Sequence, residues 1–212
     1  MESSFYKELS SRLNIPGWDF EPIIIDNVLS DKEIQEVYKF IDNNKESAEN
    51  WAGRKSWMID NPFLRNALTK KIETSSSLAV GEDLKLNEYP FFLRYSPQYG
   101  FISKLFPHID YRDSQRVTVD LQLNYDEEWA VVVEGKSFNL KFNQALIFLG
   151  TQQMHWRENK TLKDESVIDM LISNLHFVND RPLCDNQINI ADEKSYILKE
   201  HIGVNEEEQK ND

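Results

Sequence analysis

Val117-Thr118-Val119-Asp120-Leu121-Gln122-Leu123-Asn124 sets four apolar residues against four polar ones in strict alternation. A period of two sends successive side chains to opposite faces of an extended chain, so the segment reads as a strand with one apolar and one polar face. The same reading extends in both directions. Tyr89 to Tyr95 is a strand ahead of a turn, Ser96-Pro97-Gln98-Tyr99-Gly100. Downstream, Trp129–Val133 and Phe138–Phe142 flank Glu134-Gly135-Lys136-Ser137, a hairpin signal. Ala145–Leu149 suits a buried strand, and after a polar loop at 158–165 the run Val167–Val178 reads as the last one.

The first third of the chain has a different period. Pro22-Ile23-Ile24-Ile25 reads as a buried strand leading into a strong helix start. Ser30 caps, Glu33 reciprocates three residues on, and Leu29 can staple onto Ile34. Ile34, Val37, Tyr38 and Ile41 then follow at helical spacing, giving an amphipathic helix over about 30–43. Pro62 opens a second helix, roughly 62–76, bearing Phe63, Leu64, Leu68 and Ile72. Between the two, Trp51 and Trp57 flank Gly53-Arg54 in what reads as an irregular, mobile loop and a candidate substrate lid. Short helices are expected at 2–13 and 191–202, and residues 205–212 as an acidic disordered tail. Helices first and short strands after predict an α+β fold: a double-stranded β-helix (jelly roll) core with the N-terminal helices packed on one sheet, as a single domain over 1–204.

Charge and composition narrow the function. The net charge is −12, and the tail Val204–Asp212 contributes −3 of it, four acids against one lysine, so −9 remains on the body. That balance disfavours a nucleic-acid partner. The single cysteine, Cys184, rules out an internal disulfide framework, and no apolar run approaches bilayer length, so a soluble, cytoplasmic protein is expected.

Two further segments bracket the strand region: Pro107-His108-Ile109-Asp110 and Met154-His155-Trp156-Arg157. His-x-Asp on an extended segment puts both side chains on one side. His155 from a later strand would complete two imidazoles and a carboxylate, the ligand set that leaves a face of Fe(II) open in non-heme oxygenases. His-x-Asp alone is a weak signal, and its weight comes from its company. His176 reads as a core residue of the last strand, His201 as an exposed one, and Cys184 lacks an activating neighbour.

That company resembles the Fe(II)- and 2-oxoglutarate-dependent oxygenases, nearest their prolyl-4-hydroxylase-like branch, over about residues 22–178. Ile25-Asp26-Asn27-Val28-Leu29-Ser30 with its capped helix is similar to the branch's entry segment. Tyr95 ahead of His108-Ile109-Asp110, the strand from Thr118 to Asn124, and Ala145-Leu146-Ile147-Phe148 before His155 follow its order. Leu175-His176-Phe177 and His155-Trp156-Arg157 look closer to a bacterial subset. The resemblance implies catalytic metal ligands His108, Asp110 and His155, with Fe(II), 2-oxoglutarate as cosubstrate and dioxygen. It implies succinate and carbon dioxide as co-products, and Tyr95, Thr118 and Gln122 as polar groups of the cosubstrate pocket.

One position departs from the pattern. The family's usual anchor for the distal cosubstrate carboxylate falls nine or ten residues after the second histidine, where this chain has Asp164 and Glu165. Arg157 and Lys163 are the alternative cations, Arg157 being favoured for its planar fork. The expected activity is hydroxylation of a small molecule, an amino acid or a peptide side chain. A non-catalytic jelly-roll binding module, a nucleic-acid dealkylating oxygenase and, more remotely, a zinc hydrolase using the same ligands are the alternatives.

Overall fold

The computed structural model describes residues 20–179 apart from 52–53, 88, 100–102 and 111–115, with a few positions between 193 and 200. The expected helix at 2–13, most of that at 191–202, the acidic tail, Cys184 and His201 lie outside the described residues. The alternating segment becomes β7 (Arg116–Tyr125), between β10 (Gln144–Phe148) and β12 (Ile168–Phe177). β1 (Ile23–Asp26) lies beyond β10, while β5 (Phe91–Tyr95), β3 (Arg54–Met58) and β2 (Glu49–Trp51) continue the sheet beyond β12. β4 (Leu84–Leu86) pairs with the far end of β12. A second sheet has the order β6 (Ser103–His108), β11 (His155–Lys160), β8 (Val131–Val133), β9 (Lys136–Phe138). The pairings in both sheets are antiparallel, in keeping with a jelly roll.

Two apolar clusters explain which residues alternate. Ala145 and Ile147 of β10 join one cluster, with Val117, Val119, Leu121 and Leu123 of β7. Leu146 and Phe148 join the other, with Tyr95, Trp129, Val131, Val133 and Met170. The run Ala145–Phe148 is apolar throughout because it has a core on each side. The helices α1 (Asp31–Asn43) and α2 (Pro62–Val80) contribute Ile34, Val37, Ile41, Leu68 and Ile72 to the first cluster. The polar face of β7 is as dry as its apolar one: Thr118, Asp120 and Gln122 are 3, 8 and 3% exposed. It lies on the inter-sheet side, where a buried polar group must find a partner.

Gln122 illustrates how those partners are found. The β7–β12 register slips between Asp169 and Met170, leaving an extra residue in β7. The Gln122 amide nitrogen donates to the carbonyls of Asn124, at 2.6 Å, and Asp169, at 3.1 Å, closing the ladder that the bulge opens. Its nitrogen is therefore committed to the sheet.

The capping box of Ser30 and Glu33 forms as expected, and Leu29 and Ile34 are both buried. The second helix runs four residues past the expected end at 76. Ser76 is fully buried and the Ser77 hydroxyl accepts from the Leu84 N–H at 2.9 Å, so the serine run continues the helix where it reads as a stop. It ends at Gly81, whose φ of 77° lies in the left-handed region that favours glycine. The expected loop is a correction on both sides of residues 52–53: Glu49–Trp51 and Arg54–Met58 are paired as β2 and β3 and extend the larger sheet. The expected hairpin forms with a tighter turn and an earlier second strand: Glu134 and Gly135, both at positive φ, make the turn, and Lys136 and Ser137 belong to β9, which ends at Phe138.

Asn143 ties the helical layer to the sheets. It sits at φ 57°, and its amide accepts from Leu29 N–H at 3.0 Å and donates to Leu29 C=O at 2.7 Å. Both Leu29 groups are buried, so truncation would strand them. Asn143→Ala is expected to lower stability by about 2 kcal/mol, read as a reduced denaturant midpoint at unchanged slope.

Candidate metal centre

His108 is the last residue of β6 and His155 the first of β11, and the two are direct partners across the ladder. The His-x-Asp segment therefore ends a strand, with Asp110 two residues beyond it. Pro107 is part of the reason. The β6–β11 register slips between His155 and Arg157, so two residues of β6 oppose Trp156 alone. A proline lacks the donor such a site would waste, and β6 is the edge strand of its sheet. The bulge turns His108 toward His155, their ring centroids 4.2 Å apart. Asp110 follows as the chain leaves the sheet, held by its N–H to Gly150 C=O at 2.8 Å.

One ligand atom from each of His108, Asp110 and His155 lies within 4.8 Å of the others. Asp110 Oδ1 is 3.4 Å from His155 Nε2 and 3.6 Å from His108 Nε2. His155 Nδ1 stands 3.0 Å from the Gln153 carbonyl, which can only accept. Nδ1 thus carries a proton, which leaves Nε2, on Asp110's side, as the nitrogen whose lone pair would meet a metal. The other carboxylate oxygen, Oδ2, accepts from the Thr118 hydroxyl at 2.6 Å. Burial alone would raise the Asp110 pKa, but His155, His108 and Thr118 hold it well below the usual carboxylate range. Burial likewise opposes charge on His155, and the facing Asp110 carboxylate overrides it and raises that pKa.

Gly150 makes this packing possible. A Cβ there would stand 2.0 Å from Thr118 Oγ1 and 2.2 Å from Asp110 Oδ2. No sequence signal marks this glycine, because the demand for it comes from two distant segments meeting over its backbone. The donor set fits a divalent first-row transition ion: two imidazole nitrogens, one carboxylate oxygen, and a carboxylate already oriented by a hydroxyl.

Beside the ligands, on the same face of β11, Arg157 is 3% exposed. Nη1 donates to the Trp129 carbonyl, Nη2 contacts Met170 Sδ, and the guanidinium lies 4.7 Å from the Trp129 ring centroid. Burial pulls its pKa down, with Tyr95 and Asp120 opposing and Arg54 adding to the fall. Tyr95 stacks edge-on against Trp129 at 5.1 Å, and its hydroxyl accepts from Arg54 Nη1 at 2.8 Å. Asp120 shares this region. Burial pushes its carboxyl up to about 6 against the pull of Arg157, His155 and Arg54.

Of the expected site residues, the structure brings together His108, Asp110 and His155, adds Thr118 to them, and sets Tyr95 beside Arg157. Gln122 serves the sheet bulge. Lys163 is exposed in its loop, its N–H bonded to Glu127, and does not join the cluster. His176 is half-buried in β12, paired with Arg116 of β7. Asp120, Gly150 and Trp129 are the residues that sequence reasoning passed over. Asp120 reads as one more polar residue in an alternating strand, indistinguishable from a solvent-facing one.

Gly150→Ala should displace the Asp110 carboxylate and weaken divalent-metal binding by at least about tenfold while the fold persists. Thr118→Val, which keeps the shape and removes the hydroxyl, should weaken it about tenfold as well. Calorimetric titration with Mn(II), alongside circular dichroism, checks both.

No family model matches the sequence, and no curated protein matches it at the sequence level. Solved structures do match in three dimensions. The chain is similar to the epimerase SnoN in complex with Fe3+, alpha ketoglutarate and nogalamycin RO, at TM-score 0.60 and 12% identity, covering 89% of this chain and 90% of that one. It is similar to the viral collagen prolyl hydroxylase vCPH from Paramecium Bursaria Chlorella virus-1 in its 2OG complex, at TM-score 0.54 and 14% identity, covering 78% and 98%. A Pseudomonas putida prolyl-4-hydroxylase aligns at TM-score 0.52 and 11% identity, covering 87% and 100%. At such identities the likeness is one of fold, and it is a fold that this chain shares with these enzymes.

Proposed function

We propose that the chain is an Fe(II)- and 2-oxoglutarate-dependent dioxygenase on a double-stranded β-helix core, hydroxylating a small molecule, an amino acid or a peptide side chain. The observation that carries this reading is the convergence of His108, Asp110 and His155 at one point, with a buried guanidinium on the same face of β11. When bound, the metal and cosubstrate supply the oxidation, in which 2-oxoglutarate and dioxygen give succinate and carbon dioxide as an oxygen atom passes to substrate.

The protein's part is binding, orientation and the exclusion of water. His108 and His155 offer neutral nitrogens and Asp110 one oxygen, which leaves part of the coordination sphere for other ligands. Gln153 fixes the His155 tautomer, and Thr118 fixes the Asp110 carboxylate. Arg157 holds the distal carboxylate of the cosubstrate, its attraction for an anion strengthened by the dry wall of Trp129, Tyr95 and Met170. A non-catalytic binding module has no need of such a cation beside the ligands. A nucleic-acid substrate is disfavoured by the charge of −12, of which the tail accounts for only −3.

Anaerobic titration with Fe(II) and 2-oxoglutarate should produce the weak visible charge-transfer band of the chelate, and aerobic turnover with a screen of amino acids and peptides should release succinate. His108→Ala, Asp110→Ala and His155→Ala should each abolish both signals in folded protein. Arg157→Ala should raise the 2-oxoglutarate requirement at least about tenfold with metal binding nearly intact, and Lys163→Ala should change neither. A folded, metal-loaded wild type showing neither band nor succinate overturns the proposal in favour of a binding module.

A further inference from the structure

Arg54 opens β3 directly opposite Tyr95 of β5, and only 9% of it is exposed. Paired residues of adjacent antiparallel strands point to the same face, so Arg54 and Tyr95 enter the same side of the larger sheet. There Arg54 Nη1 donates to the Tyr95 hydroxyl at 2.8 Å, its guanidinium 5.6 Å from the ring centroid. Arg157 comes from the smaller sheet, 5.9 Å from the same ring. One tyrosine ring thus has two buried guanidiniums beside it, carried by different sheets. Both cations favour the charged form of the Asp120 carboxyl, and Arg54 disfavours the charge on Arg157.

Two guanidiniums beside one buried carboxyl leave an excess of positive charge in a dry space, and the cost turns to gain when a second anion binds there. The chain also shows its other way of burying an arginine. Arg94 forms a two-pronged pair with Asp169 at 2.7 and 2.8 Å, both prongs on a carboxylate. The bonds of Arg157 instead go to a carbonyl and a thioether sulfur, both neutral acceptors. Charge and geometry at Tyr95 are those of an anion site with two arms.

We infer that Arg54 is a second binding residue for the distal carboxylate of 2-oxoglutarate, reaching it across Tyr95 from the larger sheet while Arg157 reaches it from the smaller. The inference rests on the oxygenase reading above. Its consequence is selectivity: a 2-oxo acid without the distal carboxylate leaves both guanidiniums without that anion and gains little from either. It also gives the β2–β3 pair a purpose that a loose lid would not serve, since the pair delivers Arg54 to the site at a fixed register.

The test compares two ligands on Mn(II)-loaded protein without turnover, by calorimetry: 2-oxoglutarate, and 2-oxobutanoate, which keeps the metal-binding head and lacks the distal carboxylate. Arg54→Met should weaken 2-oxoglutarate by about tenfold or more and 2-oxobutanoate by less than about twofold, with Arg54→Lys between wild type and Arg54→Met. An equal loss for both ligands, or no loss for either, overturns the role of Arg54 and leaves the oxygenase reading standing. A wild-type protein that binds Mn(II) but neither 2-oxo acid overturns the oxygenase reading and this inference with it. Should Arg54→Met fail to fold, the same ligand comparison on Arg54→Lys decides: a loss confined to 2-oxoglutarate supports the inference, and an equal loss or none overturns it.

Discussion

The pairing of β6 with β11 is the constraint on which the site depends. A ladder fixes which residues stand opposite, and here it stands His108 opposite His155. The slip one residue further along gives the bend that lets Asp110 leave the sheet beneath Gly150 and reach the hydroxyl of Thr118 on the facing sheet. The three ligand side chains are thus held from both layers at once. The smaller sheet supplies the imidazoles and the larger sheet steers the carboxylate.

Much of this was legible before any coordinates. The alternation from Val117 to Asn124 identified the central strand, and the capping box of Ser30 and Glu33 placed the first helix to within a residue. Both signals are local and follow from backbone geometry alone. The two His-bearing segments were legible as ligands because their residue types are scarce and their order matched a known pattern.

What escaped was tertiary. The β2–β3 pair has strands of three and five residues, too short for a period to declare itself, and takes its stability from β5. Gly150 is indispensable only once Asp110 and Thr118 are seen above it. Gln122 looked like a pocket group, and the bulge that claims its amide exists only in the paired strands. Arg157 and Lys163 could be ranked by chemistry but separated only by burial, since strand β11 carries one inward and the loop carries the other out.

Asn143 also bears on the order in which the chain can assemble. Its amide clasps Leu29, 114 residues earlier, and the strand next to it closes on Ile23–Asp26. Until β10 has been synthesised, Ile23 and Ile25 have no strand to pair with. A chain emerging from the ribosome at about 5–20 residues per second must carry that greasy leading segment for several seconds before its partner appears. Contacts this distant in sequence slow folding and lengthen exposure to aggregation. The segment's first protection is the well-capped α1, which can form alone, so the strength of that cap serves the nascent chain as much as the finished one.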